Sequence, residues 1–252
     1  MVTGIFNRFQ SDVDFDEYNL RISLNKAIRR DEIVQQVYRG HANLTPALIP
    51  PWAYDFPEGL EPIMYNRDQS QKLFRSSGYP RTRPLKIVAF QKHASLLKAI
   101  AAQIEETLSI KVETTVIPKQ EETKWKRVVA EKKLIPGWDI LIASTSTQFY
   151  EGTPAFFHRE FFGFDGALRT GPELPEFDQV YKKMVNQIQR RELLEAAKDV
   201  DRFVYKNALS LFLCVPQKLY AVNRHVDFNP YRTTFELAET EVEERHWSRR
   251  LR

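Results

Sequence analysis

Three strand signals separated by two helix signals, all within residues 84–146, constrain the fold of this chain more than any other stretch. Leu85-Lys86-Ile87-Val88-Ala89-Phe90 is a short apolar run rich in branched residues. Leu96, Leu97, Ile100, Ala101, Ile104 and Leu108 then recur at helical spacing, with Lys98, Gln103, Glu105 and Glu106 opposite them. Residues 110–117 alternate as a strand does, Pro118 closes the run, and residues 121–133 read as a second helix carrying Trp125, Val128 and Val129. Trp138-Asp-Ile-Leu-Ile-Ala143 is the third strand. This order predicts right-handed crossovers and an α/β fold with a mixed, largely parallel sheet flanked by helices. In open sheets of that kind ligands gather beyond the carboxyl ends of the strands, so the segments after Phe90, Ile117 and Ala143 are the first candidates for a site.

The remaining segments read as connected helices and loops around that unit. Leu20, Ser23, Leu24, Ala27 and Ile28 share one helical face, and Asp31 fits the N-cap of a second short helix over residues 32–39 that Gly40 stops. Residues 41–63 are rich in proline and aromatics and predict an ordered surface loop. A helix carrying Leu73 and Phe74 ends at Gly78, Tyr79 and Pro80. After Ala143 come a polar segment, an aromatic-rich helix or turn over residues 155–164, and helices over 175–188 and 191–207. Residues 209–215 and 217–222 read as two strands around Pro216.

Composition excludes several classes of function. Cys214 is the single cysteine, so thiolate metal clusters and internal disulfides are out, and its apolar surroundings predict a packed thiol. The five histidines, His41, His93, His158, His225 and His246, show no four-residue helical pairing of the zinc-binding kind. Ser144, Thr145 and Ser146 follow the third strand without a Gly-x-Ser-x-Gly turn, and no glycine-rich phosphate loop occurs, so neither a nucleophilic serine, a metal nor a cofactor is expected. No window reaches the roughly 20 apolar residues of a membrane span, and the first residues lack a basic region followed by an apolar core. The net charge of +4 is interspersed apart from a basic end over residues 245–252, which reads as a solvated terminus, so no nucleic-acid partner is expected.

Several pieces, in order, resemble the family-5 extracellular solute-binding proteins, the peptide, dipeptide and nickel receptors of ABC importers. Leu20-Arg-Ile-Ser-Leu-Asn-Lys-Ala-Ile-Arg-Arg-Asp-Glu-Ile-Val34 followed by Gly40 is similar to the family's Arg-x-Ala-hydrophobic-x-x-Ala-Ile-Asp-Arg-x-x-Ile segment, with Arg29 at the family's Asp. Tyr65-Asn-Arg-Asp-Gln-Ser-Gln-Lys-Leu-Phe-Arg-Ser-Ser-Gly-Tyr-Pro80 resembles its Tyr-Asp-Pro-x-x-Ala-x-x-Leu-Leu-x-x-Ala-Gly-Tyr. Leu108-Ser-Ile110 fills its Gly-Ile turn, Trp138-Asp139 matches its Phe-Asp strand, and Pro175-Glu-Phe-Asp178 leads on to residues 209–215 as in the family.

The resemblance implies one lobe of a two-lobe periplasmic-binding-protein-like fold, the C-terminal ligand-binding lobe. Residues 1–13 are then a leader or linker, 14–208 the ligand-binding lobe, and 209–252 a segment returning to an N-terminal lobe that this sequence lacks. It implies a small solute or peptide as ligand, ABC permease subunits as partners, and a periplasmic or extracellular, membrane-associated parent protein. Counting from Asp139 puts Gln148 where peptide-binding members hold the ligand's ammonium group with an Asp. Gln lacks the carboxylate's charge, so a free peptide amine is disfavoured unless Glu151 or Asp165 takes that role. Tyr150 and Phe164 flank polar turns and are candidate apolar contacts, with Phe157 and Phe161 assigned to the core. Ser146 and His93 follow strand ends and complete the candidate set. A solute-sensing lobe of a regulator and a hydrolase on a similar topology are the alternative readings.

Overall fold

The computed structural model describes residues 1–10, 12–131, 137–145, 155–168, 171–231 and 237–249. It forms two compact units, Met1–Pro216 and Gln217–Arg252. The first unit contains a six-stranded sheet ordered β2-β6-β1-β5-β3-β4, from strands β1 (Val2–Phe6), β2 (Ala42–Leu44), β3 (Leu85–Phe90), β4 (Val112–Ile117), β5 (Ile140–Ser144) and β6 (Ser210–Pro216). β3 pairs in parallel with both β4 and β5, as the alternating stretch predicts. β1 is antiparallel to β5 and to β6, and β2 is antiparallel to β6. Four of the six strands therefore run the same way, and Phe90, Ile117, Ser144 and Pro216 finish at one edge.

Eight helices accompany these strands among the described residues: α1 (Tyr18–Lys26), α2 (Arg30–Gln36), α3 (Arg67–Ser76), α4 (Ala94–Leu108), α5 (Glu122–Ala130), α6 (Phe156–Phe162), α7 (Pro175–Val185) and α8 (Arg190–Lys206). Period-two alternation splits the strands between two faces. Ile87 and Ala89 of β3 and Ile140 and Ile142 of β5 pack with Leu97, Ile100 and Ile104 of α4 and Leu20 and Leu24 of α1. Val88, Phe90 and Leu141 turn the other way, onto Trp138 and Trp125 of α5. Ile5 and Phe212 share that second face with Phe162 of α6, Phe177 of α7, and Ala197, Val200 and Val204 of α8. Burying each large aliphatic or aromatic side chain contributes about 1.5–3 kcal/mol, so the two-sided core is the main source of stability.

Local chemistry sets the helix ends. Asn66 accepts from the Gln69 amide at 2.9 Å and Glu17 from the Asn19 amide at 3.0 Å, each starting a helix by pairing an orphan donor. Ser109 ends α4 in the left-handed region at φ 56°, the place of the family's glycine. Two buried arginines pin distant segments through carbonyls. Arg21 donates to Phe15 O and Asn207 O, both at 2.7 Å, and Arg30 to Phe212 O at 2.6 Å and Ile63 O at 2.7 Å. Burial pulls both guanidinium groups down to about 10.

Several boundaries differ from the sequence reading. The leader or linker over residues 1–13 gives way to β1, a strand inside the sheet, where a Cβ on Gly4 would meet Leu211 Cβ at 2.9 Å and Ile140 Cγ2 at 3.1 Å. Residues 210–216 likewise belong to the sheet of the first unit, which moves the C-terminal boundary past Pro216. Asp31 lies in the first turn of α2, and Arg29, its N-cap residue, is held by Glu32 at 2.9 Å and Glu106 at 2.6 Å. Residues 217–222 form no strand, and Leu219, Tyr220 and Val222 are exposed. The second unit contains a two-stranded antiparallel ribbon, β7 (Val226–Asp227) with β8 (Glu241–Val242), and a Tyr220–Phe228 ring pair at 5.1 Å.

Candidate functional site

The carboxyl edge of β3, β4 and β5 is where the parallel half of the sheet opens its loops. β3 ends at Phe90 and passes through the turn Gln91–His93 into α4, while β4 ends at Ile117 and passes through Lys119–Glu121 into α5. The two loops are tied together, the Lys119 amide donating to Gln91 Oε1 at 3.1 Å. Behind them Phe90 meets Trp125 edge-on at 5.6 Å, Trp125 meets Trp138 at 5.7 Å, and the Lys126 ammonium sits 5.2 Å from the Phe90 ring centre. β5 reaches the edge with Ser144 and Thr145, whose amide donates to Met1 O at 3.1 Å. Aromatic and aliphatic packing thus braces an edge carrying amide, hydroxyl, ammonium and imidazole groups, the mixture found in small-molecule sites.

His93 is the most distinctive of these groups. It is buried, and its Nε2 has no hydrogen-bond partner. Burial pushes the imidazole down to about 4, with Lys92 acting in the same sense and Glu122 against it. Near pH 7 it is therefore neutral, able to accept or donate one hydrogen bond from Nε2 according to its tautomer.

The other sequence candidates lie elsewhere or outside the described residues. Ser146, Gln148, Tyr150 and Glu151 belong to the stretch 146–154, outside the described residues. Phe164 and Asp165 follow α6 and are exposed, Phe164 at 64%. The Phe164 amide donates to Asp178 Oδ1 at 3.2 Å, and Asp165 pairs with Arg159 at 2.7 Å. That end of α6 is held by Arg8, just beyond the carboxyl end of β1, which donates to Phe161 O and pairs with Glu173. β1 is antiparallel to β5, so Phe164 and Asp165 sit toward the opposite edge from His93 and are not brought together with it. Phe161 is buried in the core as read from sequence.

Two polar constellations escaped the sequence reading. Asp139, with a fully buried side chain, accepts from Arg83 Nη1 at 2.6 Å, Arg83 Nη2 at 2.8 Å and the Lys86 amide at 2.7 Å. This clasp closes the amino ends of β3 and β5. The second is a buried pair, His158 and Asp201, with His158 Nε2 2.7 Å from Asp201 Oδ1. Its trace in the sequence is Asp201, a charged residue on the apolar stripe of Ala197, Val200 and Val204 in α8. Among the described residues no group of three or more His, Cys, Asp or Glu is placed to hold a metal ion. Also among them, the serine–histidine hydrogen bonds, from the Ser248 hydroxyl at 2.8 Å and the Ser248 amide at 3.3 Å to His246 Nδ1, join exposed near neighbours.

The model of the bacterial extracellular solute-binding proteins, family 5, middle region, matches residues 4–165. Among solved structures, the chain is similar to the periplasmic binding protein DppA of Helicobacter pylori in complex with the peptide STSA. That match has 17% identity and a TM-score of 0.71, over 85% of this chain and 41% of that one. The oligopeptide-binding protein AppA of Bacillus subtilis in complex with a nonapeptide is similar at 16% identity and TM-score 0.73, over 94% and 49%. A nickel ABC transporter protein of Bacillus halodurans is similar at 15% identity and TM-score 0.69, over 85% and 45%. The chain spans less than half the length of each of these three structures. No relative among the curated proteins matches it.

Proposed function

The chain belongs to the bacterial extracellular solute-binding proteins of family 5, and from that premise we propose that it is the ligand-binding part of a receptor delivering a small solute or peptide to an ABC importer. The observation that carries this reading is the extent of the family match, which takes in β3, β4, β5 and the loops at their carboxyl edge. The peptides captured by the DppA and AppA proteins support a peptide-like ligand for this chain too. In this reading the ligand rests against Gln91, Lys92 and His93 and is contacted by Ser146, Gln148, Tyr150 and Glu151 after β5. Phe164 and Asp165 serve only if the ligand extends past α6. A second lobe closes over the ligand about a hinge, and permease subunits receive it outside the cytoplasm. The work is binding: a neutral imidazole, amides and ammonium groups recognise polar solutes by hydrogen bonds and charge.

The test is a titration of the isotope-labelled chain, followed by amide chemical shifts, with the tetrapeptide STSA, a pool of di- to nonapeptides, and nickel with histidine as probes. Shift changes at Gln91, Lys92, His93 and Lys119 are expected with at least one probe. Shifts confined to other regions, or none with any probe, overturn the proposal.

A further inference from the structure

The turn between α7 and α8 carries a pattern of charge and apolar exposure that the packing of the fold does not use. Residues 179–191 hold four cations, Lys182, Lys183, Arg190 and Arg191, and no carboxylate. All four are exposed, and among the described residues none makes an ion pair, whereas further along α8 Lys198 is held by Glu195 and Arg202 by Asp199. Between these cations apolar side chains point out of the protein. Met184 is buried, but Val185 is 52% exposed, and Ile188, in the turn itself, is 98% exposed. Tyr54, 68% exposed, stands at the same place, with the Arg190 guanidinium 5.7 Å from its ring centre. The turn is also held in shape. The Asn186 amide donates to Lys182 O at 3.2 Å, the Gln187 amide to Met184 O at 3.0 Å, and the Gln187 side chain to Lys183 O at 3.0 Å. These carbonyls at the end of α7 are thereby already paired and do not meet a surface of low polarity as orphans.

We propose that the α7–α8 turn is a membrane-docking tip for a bilayer containing anionic lipids. Ile188 and Val185 enter the boundary between headgroups and acyl chains, Lys182, Lys183, Arg190 and Arg191 face the lipid phosphates, and Tyr54 stands beside them with its ring in the apolar layer and its hydroxyl in the wet one. An isoleucine this exposed projects from the surface, and a fluid bilayer yields around a projection. A protein partner would need a recess of matching shape. One isoleucine inserts too little apolar surface to hold the chain by itself, and four charges attract only within a Debye length, ~10 Å at 0.1 M salt, so docking needs both and is reversible. α7 starts just past Glu173, which Arg8 holds beyond the end of β1, and α8 leads into the start of β6 at that same edge. The turn therefore lies toward the opposite edge, where β3, β4 and β5 end, and docking brings that edge to the membrane. The inference does not rest on the solute-binding reading.

The test is co-sedimentation of the whole chain with vesicles of phosphatidylcholine, alone or mixed with phosphatidylglycerol at roughly 7 to 3. Partition onto the mixed vesicles is expected to be at least about tenfold stronger than onto the neutral ones, and to be lost at high salt. Ile188→Ser should weaken it about tenfold, and replacing Lys182, Lys183, Arg190 and Arg191 by Gln should reduce it to the level of neutral vesicles. The same replacement at the basic end, of Arg245, Arg249, Arg250 and Arg252, should leave it within about threefold. Unchanged unfolding midpoints separate lost docking from lost folding. Ile188→Cys carrying a polarity-sensitive dye should shift its emission to the blue on mixed vesicles, and Cys214 is buried away from the label. Equal partition onto both vesicles, an Ile188→Ser variant that binds as wild type, a dye that does not shift, or a loss confined to the basic-end variant would each overturn the tip. Retention by soluble polyglutamate without vesicle binding would also overturn it, in favour of an acidic protein partner.

Discussion

Replacing Asp139 with alanine tests how the candidate edge is held in place. The carboxylate is fully buried, and Arg83 is 11% exposed with a second partner, Asp12, at 2.6 Å. The substitution removes two charge-assisted bonds from Arg83 and one from the Lys86 amide. At about 1.5–3 kcal/mol per bond to a charged group, simple addition would exceed what a buried pair costs to break. Arg83 keeps Asp12 and some access to water, which limits the loss to roughly 3–5 kcal/mol. Arg83→Met should be at least as costly, since it leaves a buried carboxylate without a counter-ion. The double variant Arg83→Met with Asp139→Leu should recover much of the loss, because neither charge is then stranded. Urea unfolding monitored by tryptophan fluorescence is the assay, read from the midpoint at constant slope. Trp138 adjoins the clasp, so its signal reports this region. A loss under about 1 kcal/mol for Asp139→Ala, or a double variant worse than the two singles combined, would refute the clasp.

Two further outcomes follow from single residues. His93 titrates near 4 when folded and about 6.5 when unfolded, so the unfolded chain binds more protons between these values. Its contribution is therefore present above pH ~6.5 and lost on acidification toward pH ~4. His93→Gln should flatten this loss by roughly 1–3 kcal/mol relative to wild type, and parallel pH–stability curves for the two proteins would contradict the assignment. Ser109→Gly should stabilise by about 0.5–1 kcal/mol by relieving a left-handed residue at the end of α4, and destabilisation in thermal unfolding would count against it.

Sequence alone determined the alternating unit, because apolar periodicity is local. Six residues of β3 and the stripe of α4 announce themselves without reference to the rest of the chain. The packed state of Cys214 was legible for the same reason: burial raises its thiol to about 11, against the opposing effect of the neighbouring Tyr38 hydroxyl. The family resemblance was legible as an order of short pieces, each weak by itself. Tertiary structure alone decided the strands around that unit. Val2–Phe6 looks like any short apolar start, and only its pairing with residues 140–144 and 210–214 puts it inside the sheet. Pairing partners so far apart along the chain leave no periodic trace, since register depends on which distant backbone completes the hydrogen bonds. The same holds for buried charge. Asp201 on an apolar stripe signals that a polar partner exists, but that the partner is His158 is settled only when α6 and α8 pack together.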